Sequence, residues 1–277
     1  MRKIWFFWFI SFLITIAVLF YQRVTGPTHP ISDEIKSGDV IISYTFNRSG
    51  TTGNDEKISI RLNKQNVTGY LYWKRFKMNE EWVIIEMRQK GGELYASLPS
   101  QPPAGKLEYF VELKFNDKTI ILPDSNTCVI RFKGNIPIII LIPHVIAMFF
   151  AFLLSTRTGM EFFNPKPNIK VLTLWTLAFL IIGGFILGPL MQYFAFGEFW
   201  TGFPLGYDLT DNKTLLIFII WIVAFLFIKK NKHSKRWALT AAIILLIIYL
   251  IPHSLLGSEL DYSKIDEQKN LIENSIN

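Results

Sequence analysis

The chain has 277 residues, half of them apolar, a single cysteine and a formal net charge of +7, with a positive mean hydropathy. It is more apolar than an ordinary soluble domain of its size. One cysteine excludes an intrachain disulfide framework and, with the richness in Lys, Ile and Asn, points to a bacterial protein.

The first element follows Met-Arg-Lys. Residues 4–20, IWFFWFISFLITIAVLF, form an apolar run just long enough to cross a bilayer. The run ends in Phe20-Tyr21-Gln22-Arg23, with no small-residue cleavage site, so it reads as a retained anchor over 1–23 rather than a signal peptide. Residues 24–37 read as a linker, in which His29 is solvated.

Residues 38–134 change character. VIISYTF (40–46), KISIRL (57–62), TGYLYWKRF (68–76), WVIIEMR (82–88), ELYASLP (93–99), KLEYFVELKF (106–115), TIIL (119–122) and TCVIRF (127–132) read as strands. Ile58, Ile60 and Leu62 alternate with Ser59 and Arg61, and Tyr109, Val111, Leu113 and Phe115 with Phe110, Glu112 and Lys114. Such period-2 alternation buries one face and wets the other. Gly91-Gly92 supplies the positive φ of a tight hairpin. Cys128 reads as a small buried residue in a strand. This pattern predicts an all-β two-sheet sandwich inserted between the first and second membrane helices. The stretch LPSQPPAGKLEYFVEL resembles a late hairpin of immunoglobulin-like and fibronectin-type-III-like domains, where a Pro- and Gly-rich turn leads into a strand bearing a core tyrosine. The cysteine pair of the immunoglobulin family is absent, and the resemblance implies a fold and no activity. Tyr70, Tyr72, Trp73, Trp82 and Tyr95 serve either as core and cross-strand aromatics or as a carbohydrate platform, and the first use is the commoner one.

Four further apolar stretches follow, at 136–156, 171–191, 214–228 and 237–251, within a transmembrane region spanning 135–257. The expected fold class is therefore five transmembrane helices plus the inserted immunoglobulin-like sandwich. The gaps at 1–3, 157–170 and 229–236 contain ten Lys and Arg against one acid, Glu161. Basic loops stay on the cytoplasmic side, so the N-terminus is expected inside, and residues 24–134 and the C-terminus outside, a bacterial inner membrane. That leaves +9 inside and −2 outside, so the basic pI reports topology and requires no nucleic acid. Gly184 and Gly188 form a GxxxG that lets another helix approach.

The apolar runs carry no Asp, Glu, Lys or Arg, which leaves ion-coupled transport little to work with. Two histidines follow prolines in similar settings, Leu-Ile-Pro-His144 and Leu-Ile-Pro-His253. If the last span continues to Gly257, both lie in the outer leaflet, roughly 12 Å and 6 Å from its surface. Together they are candidate ligands for a haem b iron or, with help from Met148, a metal. The competing use of each is a hydrogen bond to a carbonyl freed by the proline.

The stretch FGEFWTGFPLGYDLTDNKTLL lies within and after an outer interfacial loop, 192–209. Its aromatics suit the headgroup level, and its glycines and proline permit turns. Asp208 and Asp211 suit the N-terminus of the next helix. Glu198, Trp200, Asp208, Asp211 and Lys213 are the candidate functional group of this loop. GPLMQYFAFGEFWTGFPLGYDLTDNKT resembles blocks in uncharacterised bacterial multi-pass membrane proteins, a resemblance that carries no activity. No HExxH, GxSxG, Walker or Rossmann motif occurs, so no catalytic residue, dedicated metal site or cofactor is expected. The C-terminal segment 258–277 is polar, and either a surface helix or disorder suits it.

The first functional expectation is a non-enzymatic membrane protein that presents its sandwich to a protein partner, as an accessory subunit or assembly scaffold. The alternatives are a haem- or metal-binding redox protein using His144 and His253, and a membrane enzyme using the outer acidic loop.

Overall fold

The computed structural model describes residues 2–276 apart from 65, 125, 126, 253–256 and 258. The chain forms two compact units. One comprises Met1–Pro27 and Ile136–Ser258, the other Thr28–Asn135 and Glu259–Asn277.

In the second, or β, unit the described residues form eleven strands in two sheets. The first sheet has the order β1-β2-β4-β8-β7, with β1 Ile31–Ser37, β2 Val40–Phe46, β4 Glu56–Leu62, β7 Arg88–Lys90 and β8 Glu93–Leu98. The second has the order β3-β11-β9-β5-β6, with β10 also paired to β9. Its strands are β3 Ser49–Thr51, β5 Thr68–Arg75, β6 Val83–Glu86, β9 Lys106–Phe115, β10 Lys118–Leu122 and β11 Cys128–Lys133. One hydrophobic cluster takes residues from both sheets, including Ile42, Ile58, Ile60 and Leu94 from the first and Leu71, Leu107, Tyr109, Val111 and Ile130 from the second. The alternation in β4 and β9 puts the expected residues inside, and Cys128 is buried in β11. Tyr109 is fully buried, and its hydroxyl donates to the Asn47 carbonyl at 3.1 Å, which satisfies the one polar atom of the ring. The hairpin at Gly91-Gly92 forms with φ of +60° and +80°.

Three sequence expectations change here. The supposed linker contains β1, which pairs with β2 from Ile31↔Phe46 to Ser37↔Val40. Only Ile31 and Ile35 lean on the core. The other positions are polar because β1 is an edge, and charge on an edge discourages further pairing. The run 82–88 is not one strand: Met87 is buried between β6 and β7, and the chain passes there from one sheet to the other. Finally, β3 escapes a pattern search because it is three residues long, and it pairs in parallel with β11.

The C-terminal segment belongs to the β unit. It forms α7, Tyr262–Ile276, preceded by residues 259–261 in no regular element. Glu259 pairs with Lys77 at 2.7 Å and with Lys106 at 2.6 Å. Leu260 N donates to Ala104 O. Tyr262 is buried beneath the Arg75 guanidinium, and its hydroxyl donates to Gln101 Oε1 at 2.9 Å. Arg75 meets both Asp266 oxygens, at 2.9 and 2.7 Å, and also Glu80. A Cβ at position 105 would stand 2.9 Å from the Tyr262 hydroxyl, so glycine there makes room for the tail.

In the first unit α1 is Arg2–Thr25, α2 Ile138–Met160, α3 Ile169–Leu180, α4 Gly188–Phe196, α5 Leu209–Lys229 and α6 Ser234–Leu250. Residues 181–187 wind as a π-helix and join α3 to α4. Among the described residues four helices are long and apolar enough to span a membrane: Ile4–Thr25, Ile138–Phe163, Ile169–Phe196 and Leu209–Lys229. This marks the chain as a membrane protein. The third runs through Pro189 to Phe196, several residues into the interfacial loop expected from residue 192. Proline stands in the first turn of α4, just after the wide π turn, where its missing N–H is tolerated. The helix α6 has 17 residues and ends at Leu250 instead of reaching Gly257.

Small residues set the helix spacing. A Cβ at Gly159 would lie 2.6 Å from Ala242 Cβ, so α2 and α6 touch backbone to backbone. The packing pair in the third span is Gly183-Gly184, not Gly184 with Gly188. A Cβ at Gly183 would meet Met148 Sδ of α2 at 2.7 Å, and one at Gly184 would meet Thr214 Cγ2 of α5 at 2.6 Å. Two adjacent glycines therefore serve two different neighbours.

The tail contact has a defined pH dependence. Its hydrogen bonds from Arg75 hold the Asp266 carboxyl below the usual carboxylate value. Burial alone raises Glu259, but the bonds from Lys106 and Lys77 outweigh it and the net shift is downward. A carboxyl depressed in the docked state stabilises docking above its free value and loses that contribution as pH falls through the docked one. The tail is thus expected to stay docked at pH 5 and to release only below about pH 4, read as protease cleavage within 259–266, with 1 M salt shifting release upward in pH.

Candidate functional site

The outer acidic loop is built on backbone geometry. Gly197, with φ of +85°, ends α4 in the left-handed conformation and its N–H bonds Tyr193 O. The chain then turns back to α5. Asp208 is the N-cap of α5: its Oδ1 accepts from Thr210 N at 2.8 Å and Asp211 N at 3.4 Å. Asp211 goes beyond the expected dipole role. Its Oδ2 accepts from Thr201 N at 2.8 Å and Gly202 N at 3.1 Å, while Asn212 Oδ1 accepts from Phe203 N at 2.7 Å. Three consecutive backbone N–H groups thus converge on two neighbouring side chains in the first turn of α5. A Cβ at Gly202 would stand 2.6 Å from Asp211 Cβ, so the loop needs glycine to come this close. Gln192 Nε2 donates to Thr201 Oγ1 and ties the loop back to α4.

Lys213, two residues after Asp211 in α5, is buried and donates to Ile251 O at 2.9 Å. That carbonyl lies just past the end of α6, where an orphan acceptor needs a partner. Trp200 stacks on Phe185 at 5.8 Å and donates its indole N–H to Phe203 O. Glu198 is exposed beside Gly197. The structure therefore brings Asp208, Asp211 and Lys213 to one end of α5, each joined to backbone groups, with Trp200 in the loop they hold.

His144 lies in α2 one residue after Pro143, half-buried, with Nδ1 3.0 Å from Gly183 O. The same carbonyl accepts the Gly188 N–H across the π turn. A carbonyl accepts, so Nδ1 carries a proton, and in the neutral ring Nε2 carries the lone pair. His253 lies outside the described residues. Among the described residues no three His, Cys, Asp or Glu converge as a metal-binding group.

The sequence missed a buried charged cluster. By sequence Arg157 and Glu161 fall in the basic gap 157–170 between apolar stretches, yet Arg157 is within α2 and both are almost wholly inaccessible. Arg157 Nη1 meets Glu161 Oε1 at 2.5 Å, and its guanidinium lies over the Phe7 and Trp8 rings of α1. Glu161 Oε2 accepts from Asn164 Nδ2 and Asn168 N, both at 2.8 Å. Lys235 of α6 donates to Asn164 O at 2.6 Å. The helix runs one turn beyond the apolar stretch and carries charge inward with it. The spacing of Arg157 and Glu161, one turn apart, and the buried Ser11 and Thr15 on an otherwise greasy α1 were the signals available.

The five aromatics singled out in the sequence do not all share one surface, although Trp82 meets Phe110 at 5.0 Å beside Tyr72. Trp73 packs on the core, and Tyr95 stands on the other sheet. Tyr72 and Phe110 stack on each other at 4.6 Å, Lys74 lies over Trp82 and Lys114 over Tyr70. These are the cross-strand uses of such rings.

The chain's sequence matches no protein-family model and no curated protein.

The loop geometry separates two roles. Replacing Asp208 by Ala removes a cap and is expected to cost about 1 kcal/mol. Replacing Asp211 by Ala removes the acceptor of one buried and one half-buried N–H group and is expected to cost more, about 2–3 kcal/mol, with new protease cleavage at 197–207. Thermal unfolding of the detergent-solubilised protein checks the order of the two.

Proposed function

We propose that this chain is a non-enzymatic integral membrane protein of a bacterial inner membrane that presents its β unit, as an immunoglobulin-like sandwich outside the cytoplasm, to a protein partner. It acts there as an accessory or assembly scaffold. The observation that carries this reading is the engagement of Asp208, Asp211 and Lys213 with backbone groups, since groups that hold a loop and two helix ends serve architecture.

The connectivity of the two units supports five spans. The tail docks on the β unit, so the two share a compartment. The chain leaves the β unit at Asn135 and returns at Glu259, so it crosses a bilayer an even number of times in between. Three of the four long apolar helices lie in that interval, and α6 supplies the fourth crossing. The Lys213–Ile251 contact agrees, because it sets the end of α6 beside the start of α5 and so runs α6 antiparallel along a spanning helix. The basic residues at 229–236 then place the other side in the cytoplasm.

A photo-crosslinking residue at Ile84, exposed on the short edge strand β6, is expected to give one discrete adduct with a second protein in native membranes. Labelling spread over many species, or none from either β6 or Tyr95, contradicts a dedicated partner.

One observation favours a second reading, a haem or metal site at His144 and His253. A protonated Nδ1 bonded to a carbonyl is how proteins orient a ligating imidazole, with Nε2 turned to the metal. The scaffold reading predicts purified protein without a Soret band. A band abolished by His144→Ala would establish the second reading instead.

A further inference from the structure

Resting on the five-span reading, we infer that the surface of the β unit formed by Arg75, Lys77, Gln101, Gly105 and Lys106 is a docking site for the chain's own C-terminal segment, and that this docking is what holds α6 across the membrane. The helix is the weakest of the spans. Its 17 residues reach about 25 Å, short of a hydrocarbon core of about 30 Å. The other spans have 21 residues or more. A helix shorter than the hydrocarbon core has an alternative state in which it and the polar segment after it stay on the cytoplasmic side, next to the basic residues at 229–236.

Three features oppose that state. Gly159 and Ala242 draw α6 against α2. Lys213 takes the carbonyl of Ile251. The tail then binds where only an inserted α6 can deliver it. Its recognition elements are an acid bridging two lysines, a buried tyrosine and an acid in a two-point contact with arginine, over the sequence Glu259-Leu-Asp-Tyr262-Ser-Lys-Ile-Asp266. The β unit precedes α2 in the chain and so is in place before the tail is made. Docking therefore follows the crossing of α6 and captures that crossed state.

The test uses the full-length chain in intact cells. Lys269, exposed on α7, is replaced by Cys, with buried Cys128 left in place and the chain lacking Lys269→Cys as the blank. A membrane-impermeant maleimide is applied before and after permeabilisation. The parent is expected to label fully from outside. Adding Glu259→Ala, Tyr262→Ala and Asp266→Ala is expected to reduce outside labelling at least twofold, with the remainder recovered after permeabilisation. The milder pair Glu259→Gln and Asp266→Asn gives a smaller loss and covers poor expression of the triple variant. Outside labelling equal to the parent in both variants overturns the docking role and leaves five spans standing. A parent that labels only after permeabilisation overturns the five-span reading and this inference with it.

Discussion

The contact on which the rest depends joins residues 191 positions apart, Arg75 and Asp266. A backbone that enters and leaves a membrane cannot choose its sides independently. Once the last segment rests on a unit made near the start, the number of crossings between them is constrained to be even. The contact is modest in energy, since its ion pairs are partly exposed and screened, and its firmest element is the buried ring of Tyr262. On the five-span reading its consequence is larger than its strength, because it couples the crossing of α6 to the folded β unit.

The helical unit is held by close approach and by a few polar groups in an apolar setting. Lipid gives helices no hydrophobic reason to associate, so packing and hydrogen bonds must do it. Glycines at 159, 183 and 184 permit that approach. Polar side chains mark both ends of the bundle. Arg157, Glu161, Asn164 and Lys235 gather at one end, where α1 contributes two rings over the guanidinium. Asp208, Asp211, Asn212 and Lys213 gather at the other, where they satisfy the loop at 201–203 and the end of α6. Both groups organise backbone that a bilayer interface would otherwise leave without partners.

Much of the fold is legible where a period repeats. The alternation in β4 and β9, the glycine pair of the β7–β8 hairpin, the buried Cys128 and the cap at Asp208 all follow from local rules. What the sequence hides is set by distant partners. The β1 residues look like a linker because an edge strand is built to be polar. Met87 looks like mid-strand because a sheet switch has no signature of its own. Glu259, Tyr262 and Asp266 look like part of a polar tail that a surface helix or disorder would suit equally, because nothing local reveals the lysines, the arginine and Gly105 that receive them. Likewise Arg157 reads as a loop charge, since its burial depends on α1. Of the candidate site, the capping role of Asp208 was visible, while the grip of Asp211 on 201–202 and of Lys213 on Ile251 was not, because each closes a loop whose path the sequence does not specify.

The central claim is that the tail and the β unit meet on one side of the bilayer. Its most direct measurement is cross-linking of Cys placed at Lys77 and Glu259, whose charged ends lie 2.7 Å apart, by a short bis-maleimide in sealed membranes. The account predicts an intramolecular link that survives proteolysis of the intervening loops. Failure to link, with the two single cysteines reactive from opposite sides of the membrane, would contradict it.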